Sequence, residues 1–351
     1  MSGRSGDVSA STTLRDAPRY DRWRHRFGVA TAAATLVLIF VGGLVTSTGS
    51  GLSVPDWPLS YGMLMPPMVG GVFYEHSHRM AASLVGFLTL VLAVWTARSE
   101  SRPGVRRLAW AALAAVVAQG VLGGLTVIFL LPTPVSVAHA CLAQTFFCIV
   151  IALAYSTSRE WLAAPADVVD GGGVRGAALA AAVVVYLQLL IGAVMRHIGA
   201  GLAIPDFPLA FGRLVPPVAS VPVLVHFAHR GGALVVLVAV AHLFLRARRA
   251  GDPRFVRPAS ALLGLVLFQI ALGGATVLTT KAVTPTTLHV ATGAAILGGC
   301  WLAALRSFRL LRPRPSADVL EVPVARPESF IDPPPFIGPL QSPRRGREGL
   351  V

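Results

Sequence analysis

Charge is scarce in this chain. Asp, Glu, Lys and Arg make up 13% of its 351 residues while 54% are hydrophobic, against about 25% charged residues in an ordinary soluble domain. A soluble globular fold is excluded. Lysine is missing except at Lys281. The three cysteines, Cys141, Cys148 and Cys300, all fall within apolar runs, so they read as buried packing groups and imply no disulfide framework. The centres of those runs also lack polar residues, which argues against a transporter with a polar site at the bilayer midplane.

What is present is a set of long apolar runs. Eight stretches, roughly 27–45, 78–97, 108–131, 137–156, 176–195, 227–245, 259–280 and 287–305, reach the length that crosses the hydrocarbon core as helix. The net charge of +14 raises the question of nucleic acid, and the distribution of arginines answers it. Arg15, Arg19, Arg22, Arg24 and Arg26 precede the first run; Arg98, Arg102, Arg106 and Arg107 follow the second; Arg246, Arg248, Arg249, Arg254 and Arg257 follow the sixth; Arg306, Arg309, Arg312 and Arg314 follow the eighth. The intervening loops hold only Arg196, Arg213 and Lys281. This alternation is a topology signal that sets both termini in the cytoplasm, and no nucleic-acid partner is implied. The polar start contains Asp7, Asp16 and Asp21, unlike an organellar transit peptide, and no small-residue cleavage site follows the first run, which reads as a retained anchor. Scarce lysine beside abundant Arg, Ala, Gly and Val points to a GC-rich bacterial genome and so to the plasma membrane.

The expected organisation is a cytoplasmic basic arm (1–26), an amino-terminal four-helix bundle (27–157), a cytoplasmic linker (158–175), a carboxy-terminal four-helix bundle (176–307) and a disordered Pro-rich cytoplasmic tail (308–351). The two bundles are copies of one unit. GLSVPDWPLSYG at 51–62 matches GLAIPDFPLAFG at 201–212, Pro66-Pro67 matches Pro216-Pro217, and QGVLGGLTV at 119–127 matches QIALGGATV at 269–277. A unit of four spans enters and leaves on the same side. The fold class is therefore an all-α membrane protein of eight transmembrane helices, built as two parallel four-helix bundles related by a pseudo-twofold axis along the membrane normal.

The repeated loop with its Pro-Asp-aromatic-Pro is stiff and non-helical. Trp57 and Phe207 serve either as headgroup anchors or as part of a lid over an outer site, ordered by Asp56 and Asp206. Gly123-Gly124 and Gly273-Gly274 allow close approach of a helix or of a flat macrocycle.

The phrase Glu75-His-Ser-His78-Arg79 recurs as His226-Phe-Ala-His229-Arg230, and each copy is followed about 60 residues later by a lone histidine, His139 or His289. Ionisable groups inside spans are functional candidates by default. All four histidines lie near the outer ends of even-numbered spans and share one depth, as two trans-axial ligands on one iron require. Zinc would want a tetrahedral set with cysteine or carboxylate help, and none is clustered here. Two bis-histidine heme sites fit better, with His78 and His139 as iron ligands in one repeat and His229 and His289 in the other. Arg79 and Arg230 either pair with heme propionates or snorkel to the headgroups. Glu75, one turn from His78, can take a proton or stabilise a developing cation, whereas its counterpart is His226. The first repeat thus reads as a reaction site and the second as a static cofactor site. His25 and His242 read as solvated or interfacial, and the roles of His76, His197 and His226 are open.

Over roughly residues 27–307 these features resemble heme A synthase, the membrane enzyme that converts heme O to heme A for terminal oxidases. The resemblance implies that His78 and His139 bracket the substrate heme O, that His229 and His289 ligate a heme b cofactor, and that Glu75 is the required catalytic carboxylate. It further implies an oxidoreductase that oxidises one ring methyl stepwise to the formyl group with oxygen from water. Some members of that family carry a cysteine pair in the first outer loop, but residues 46–76 contain none, so any mechanism needing a thiol there is excluded. Heme O and heme A, the lipid bilayer, a heme O synthase, a membrane or ferredoxin-type electron carrier and a second copy of the chain are the candidate partners. The competing class is a diheme b-type electron-transfer cytochrome, which would use the same four ligands without chemistry on the porphyrin.

Overall fold

A computed structural model of the protein describes residues 20–163, 168–217 and 220–313, together with Gly338 and Gly349. The expected tail beyond Pro313 and the first 19 residues of the basic arm lie outside the described residues. Eight helices are long and apolar enough to cross a membrane, and the chain is a multi-pass membrane protein. They are α1 (Arg22–Ser47), α2 (Gly70–Ser99), α3 (Pro103–Ile128), α4 (Thr133–Ser156), α6 (Val174–His197), α7 (Val221–Ala250), α8 (Pro253–Leu278) and α9 (Val283–Leu310). Between the halves lie a short helix, α5 (Arg159–Leu162), and a strand, β1 (Val168–Val169), which pairs in parallel with β2 (Leu311–Arg312) after the last helix.

Helix starts follow local chemistry. Asp21 caps α1 by accepting the amides of Trp23 and Arg24, and Asp252 caps α8 at Arg254. Proline opens α3, α4, α7 and α8, where its missing N–H is no loss. The helices outrun the apolar stretches: α2 begins at Gly70 and α7 at Val221, so the Glu75 and His226 phrases lie inside helices. Polar residues interrupt hydropathy without interrupting the backbone ladder.

Within the first half, α1 packs on α2, α2 on α3, α3 on α4 and α4 on α1; in the second, α6, α7, α8 and α9 close the same ring. The halves meet through α1 with α9, α4 with α6, and α4 with α9. Exchanging α1 with α6 and α4 with α9 maps this set of contacts onto itself, as a twofold relation between the halves requires. The largest core cluster fills the second bundle and includes Val240, Leu243, Val266, Leu297 and Cys300.

At the arginine-rich end, Arg24 on α1 pairs with Glu100 at 3.0 Å, and Arg102 reaches both Glu100 at 2.9 Å and the Ser156 carbonyl at 2.8 Å. This joins α1, the α2–α3 turn and α4 through groups that are almost wholly buried on the Arg24 and Glu100 sides. Burial pushes the Glu100 carboxyl up, but the hydrogen bonds and charge of Arg102, followed by the charge of Arg24, outweigh it and hold the group below its ordinary value. A depressed folded pKa gives stability that is present above the unfolded value and lost as pH falls through the folded one. Glu100→Gln is expected to destabilise the protein by about 3–5 kcal/mol. Thermal unfolding in detergent checks this, and the gap from the parent should close once the pH drops below the carboxylate range.

Candidate functional site

The two repeated loops fold alike. Asp56 accepts the amides of Tyr61 at 2.7 Å and Gly62 at 2.8 Å, and Asp206 those of Phe211 and Gly212 at the same distances. These bonds, Gly62 ahead of Tyr61 and Gly212 ahead of Phe211, hold both carboxyls below their ordinary value. The Trp57–Pro58 and Phe207–Pro208 peptides are both cis. Each loop folds its aromatic ring back onto a helix: a Cβ at Gly124 would lie 2.6 Å from the Trp57 ring, and one at Gly274 would lie 2.7 Å from Phe207.

Arg79 and Arg230 clamp those loops. Arg79 donates to the carbonyls of Asp56 (2.7 Å), Leu59 (2.8 Å) and Val54 (3.2 Å) and to Glu75 Oε1 (2.7 Å). Arg230 donates to Leu209 (2.8 Å), Ile204 (3.1 Å) and Asp206 (2.6 Å), and its Nε meets His226 Nε2 at 3.2 Å. The guanidinium groups face loop carbonyls, and most of their N–H groups are engaged before any propionate is considered.

Glu75 and His226 occupy one slot in two copies. Glu75 Oε2 accepts the Val54 amide at 2.8 Å, and His226 Nδ1 receives the Ile204 amide at 3.2 Å. Both side chains are buried, at 3% exposure. The carboxylate has acceptor capacity for both its donors, whereas a neutral imidazole has one acceptor nitrogen. Only one of the two contacts to His226 is a hydrogen bond at a time. A second difference accompanies this one: His76 Nδ1 bonds Ser60 Oγ at 2.8 Å, and the second repeat has Phe227 and Ala210 there, packed with Ile204 and Val223. The first site is lined with polar groups where the second is apolar.

Each of the four expected iron ligands leans on a glycine. Ideal Cβ atoms at Gly42, Gly123, Gly192 and Gly273 would lie 3.0, 3.2, 3.0 and 3.1 Å from Cε1 of His78, His139, His229 and His289 respectively. A side chain at any of these glycines would press on the ring, so the glycines fix how closely each imidazole lies against the preceding helix. The His229 and His289 ring centroids are 6.3 Å apart. Two metal–imidazole bonds of about 2 Å each, extended to the ring centres, put trans ligands of one metal about 6 Å apart. His289 Nδ1 lies 3.1 Å from the Gln269 carbonyl; a carbonyl only accepts, so this nitrogen carries the proton and Nε2 keeps its lone pair. Gln188 contacts His229 Nδ1 at 3.1 Å and donates to its carbonyl at 2.7 Å. In the first repeat the Nδ1 atoms of His78 and His139 are each buried without a partner. Leu38 stands where Gln188 would be. Among the described residues no group of three or more His, Cys, Asp or Glu gathers around a point. The donor set thus suits paired axial imidazoles on a macrocycle.

The sequence reading passed over Gln119, Gln188 and Gln269. Gln119 and Gln269 donate to the carbonyls of His139 (3.0 Å) and His289 (2.8 Å). Their signal was available: a glutamine at the same place in two otherwise apolar spans.

The family model described as cytochrome oxidase assembly protein matches residues 25–70 and 70–301. The chain belongs to this family. It is 35% identical over 256 residues to the heme A synthase of Symbiobacterium thermophilum, covering 70% of this chain and 82% of the relative. It is 32% identical to the heme A synthases of Shouchella clausii, with 73% and 87% covered, and Halalkalibacterium halodurans, with 72% and 86% covered.

Proposed function

We propose that the protein is a heme A synthase that oxidises the ring methyl of heme O to the formyl group of heme A. The observation that carries this is the slot with the same amide and arginine partners in both repeats, filled by Glu75 in one and His226 in the other. A pair of purely electron-carrying sites has no need for a carboxylate beside one of them.

In this reading His78 and His139 bracket heme O. Their unpartnered Nδ1 atoms and the absence of a Gln188 equivalent suit a ligand set that releases its heme after reaction. His229 and His289 would hold a heme b: the Gln269 backbone carbonyl keeps the His289 proton on Nδ1 and leaves Nε2 for iron, and the Gln188 amide ties down the His229 carbonyl. Heme b supplies one-electron redox capacity when bound. Conversion of methyl and water to formyl releases four electrons and four protons, and the electrons leave to an external membrane or ferredoxin-type carrier. Glu75 accepts protons as water adds, and its ion pair with Arg79 aims it. Arg79 and Arg230 hold the loops as lids, Asp56 and Asp206 order them, and the remaining guanidinium Nε–H of Arg79 is free for a propionate. Arginine distribution supports a plasma-membrane location with both termini cytoplasmic and the heme sites toward the outer side.

Extraction of the hemes from purified protein, with mass analysis, tests this reading. Heme O, heme A or the hydroxylated intermediate is expected beside heme b. Heme b alone would make the protein a diheme cytochrome.

A further inference from the structure

The repeats differ in charge as well as in chemistry, and the difference centres on Arg196. Its counterpart in the first repeat is Thr46. Arg196 sits at the arginine-poor end of α6, half-buried, one turn beyond Gly192, the glycine under the His229 ring. Residues four apart share a helix face. Its Nη2 crosses to the first repeat, donating to the Gly43 carbonyl at 3.2 Å and to Ser47 Oγ at 3.1 Å. Gly43 in turn packs on Thr287, two residues before His289 on α9. Arg196 thus lies one turn along α6 from the glycine under the His229 ring and is bonded to Gly43, which packs on the helix that carries His289. No carboxylate pairs with it among the described residues.

The other charges increase the imbalance. In the first repeat Glu75 neutralises Arg79; in the second, His226 leaves Arg230 uncompensated at the same slot. Asp56 and Asp206 are common to both loops and cancel in the comparison. Arg213 and Lys281 replace Met63 and Leu131, but both are exposed and therefore screened.

We infer that Arg196 is a positioning charge that raises the reduction potential of the heme held by His229 and His289 above that of the first site, making the second repeat the better electron acceptor. This rests on the heme assignment proposed above. The physical cause is Coulombic: a half-buried cation beside a metal centre favours the state with one more electron, and in a low-dielectric surround it does so strongly. The uncompensated Arg230 at the His226 slot acts in the same direction.

Potentiometric titration of the purified full-length protein, followed by heme absorbance, tests the inference. The heme in question is the one lost in His289→Ala. Arg196→Gln is expected to shift its oxidation equilibrium on the order of tenfold toward the oxidised form, a drop of about 59 mV for one electron. Arg196→Lys, which keeps the charge, should retain most of the parent potential. His226→Glu adds a negative charge to a slot that already accepts glutamate in the first repeat, and should lower the potential in the same direction. If Arg196→Gln fails to accumulate, Arg196→Met, which removes the charge and keeps most of the length, decides in its place. Unmoved potentials overturn the inference, and so does an equal drop in Arg196→Lys and Arg196→Gln, which would mark packing rather than charge. Retention of the full heme complement in His289→Ala would instead overturn the site assignment itself, a result distinct from a bound heme whose potential does not move.

Discussion

Glu75→Gln leaves the heme complement of the protein unchanged and lowers conversion of heme O about 10²–10⁴-fold, the range lost with a positioned acid–base group. Glutamine has nearly the shape of glutamate and one oxygen for either the Val54 amide or Arg79, which now bind the two oxygens of Glu75 at 2.8 and 2.7 Å. Its amide turns a donor toward the other partner. The proposed iron ligands His78 and His139 are untouched, so heme O should still enter and accumulate, alone or as the alcohol. Mass analysis of extracted hemes, with absorbance for occupancy, reads both quantities in one preparation. His226→Gln is the internal control because it alters the same slot beside the cofactor site. Parental heme A yield from Glu75→Gln would remove the carboxylate from the mechanism.

The second large effect is expected at the cofactor site. His289→Ala should strip one heme from the purified protein and abolish turnover while leaving the first site filled. The alanine opens a gap against Gly273, where the ring now rests, and leaves His229 without the ring whose centroid lies 6.3 Å away. Heme-to-protein ratio by pyridine hemochrome, compared with the parent, checks this. A ratio equal to the parent's would mean that His289 does not ligate a heme.

Much of this molecule was legible in its residues because membranes impose few solutions. Apolar length and arginine alternation report spans directly, since the bilayer core leaves backbone groups no partner but each other. Duplication did the rest: two copies of the loop, the glycine pairs and the histidines at a constant offset point to one unit repeated. Helix starts were less legible, because Glu75, His76 and Ser77 lower hydropathy at a place where α2 continues unbroken from Gly70. The bonds of Arg79 and Arg230 to loop carbonyls were not legible, because backbone groups carry no signature in the residue order.

The residue order alone determined the spans, their pairing into repeats, the four histidines and the Glu75/His226 substitution, since each depends only on hydropathy, spacing or identity. Tertiary structure decided which groups meet. It set the imidazoles on glycines, folded Trp57 and Phe207 onto Gly124 and Gly274, and brought Arg196 across the seam to Gly43 and Ser47. Those contacts join residues far apart along the chain, and which of them form follows from how the helices pack against one another, a property of the whole bundle that no local stretch encodes.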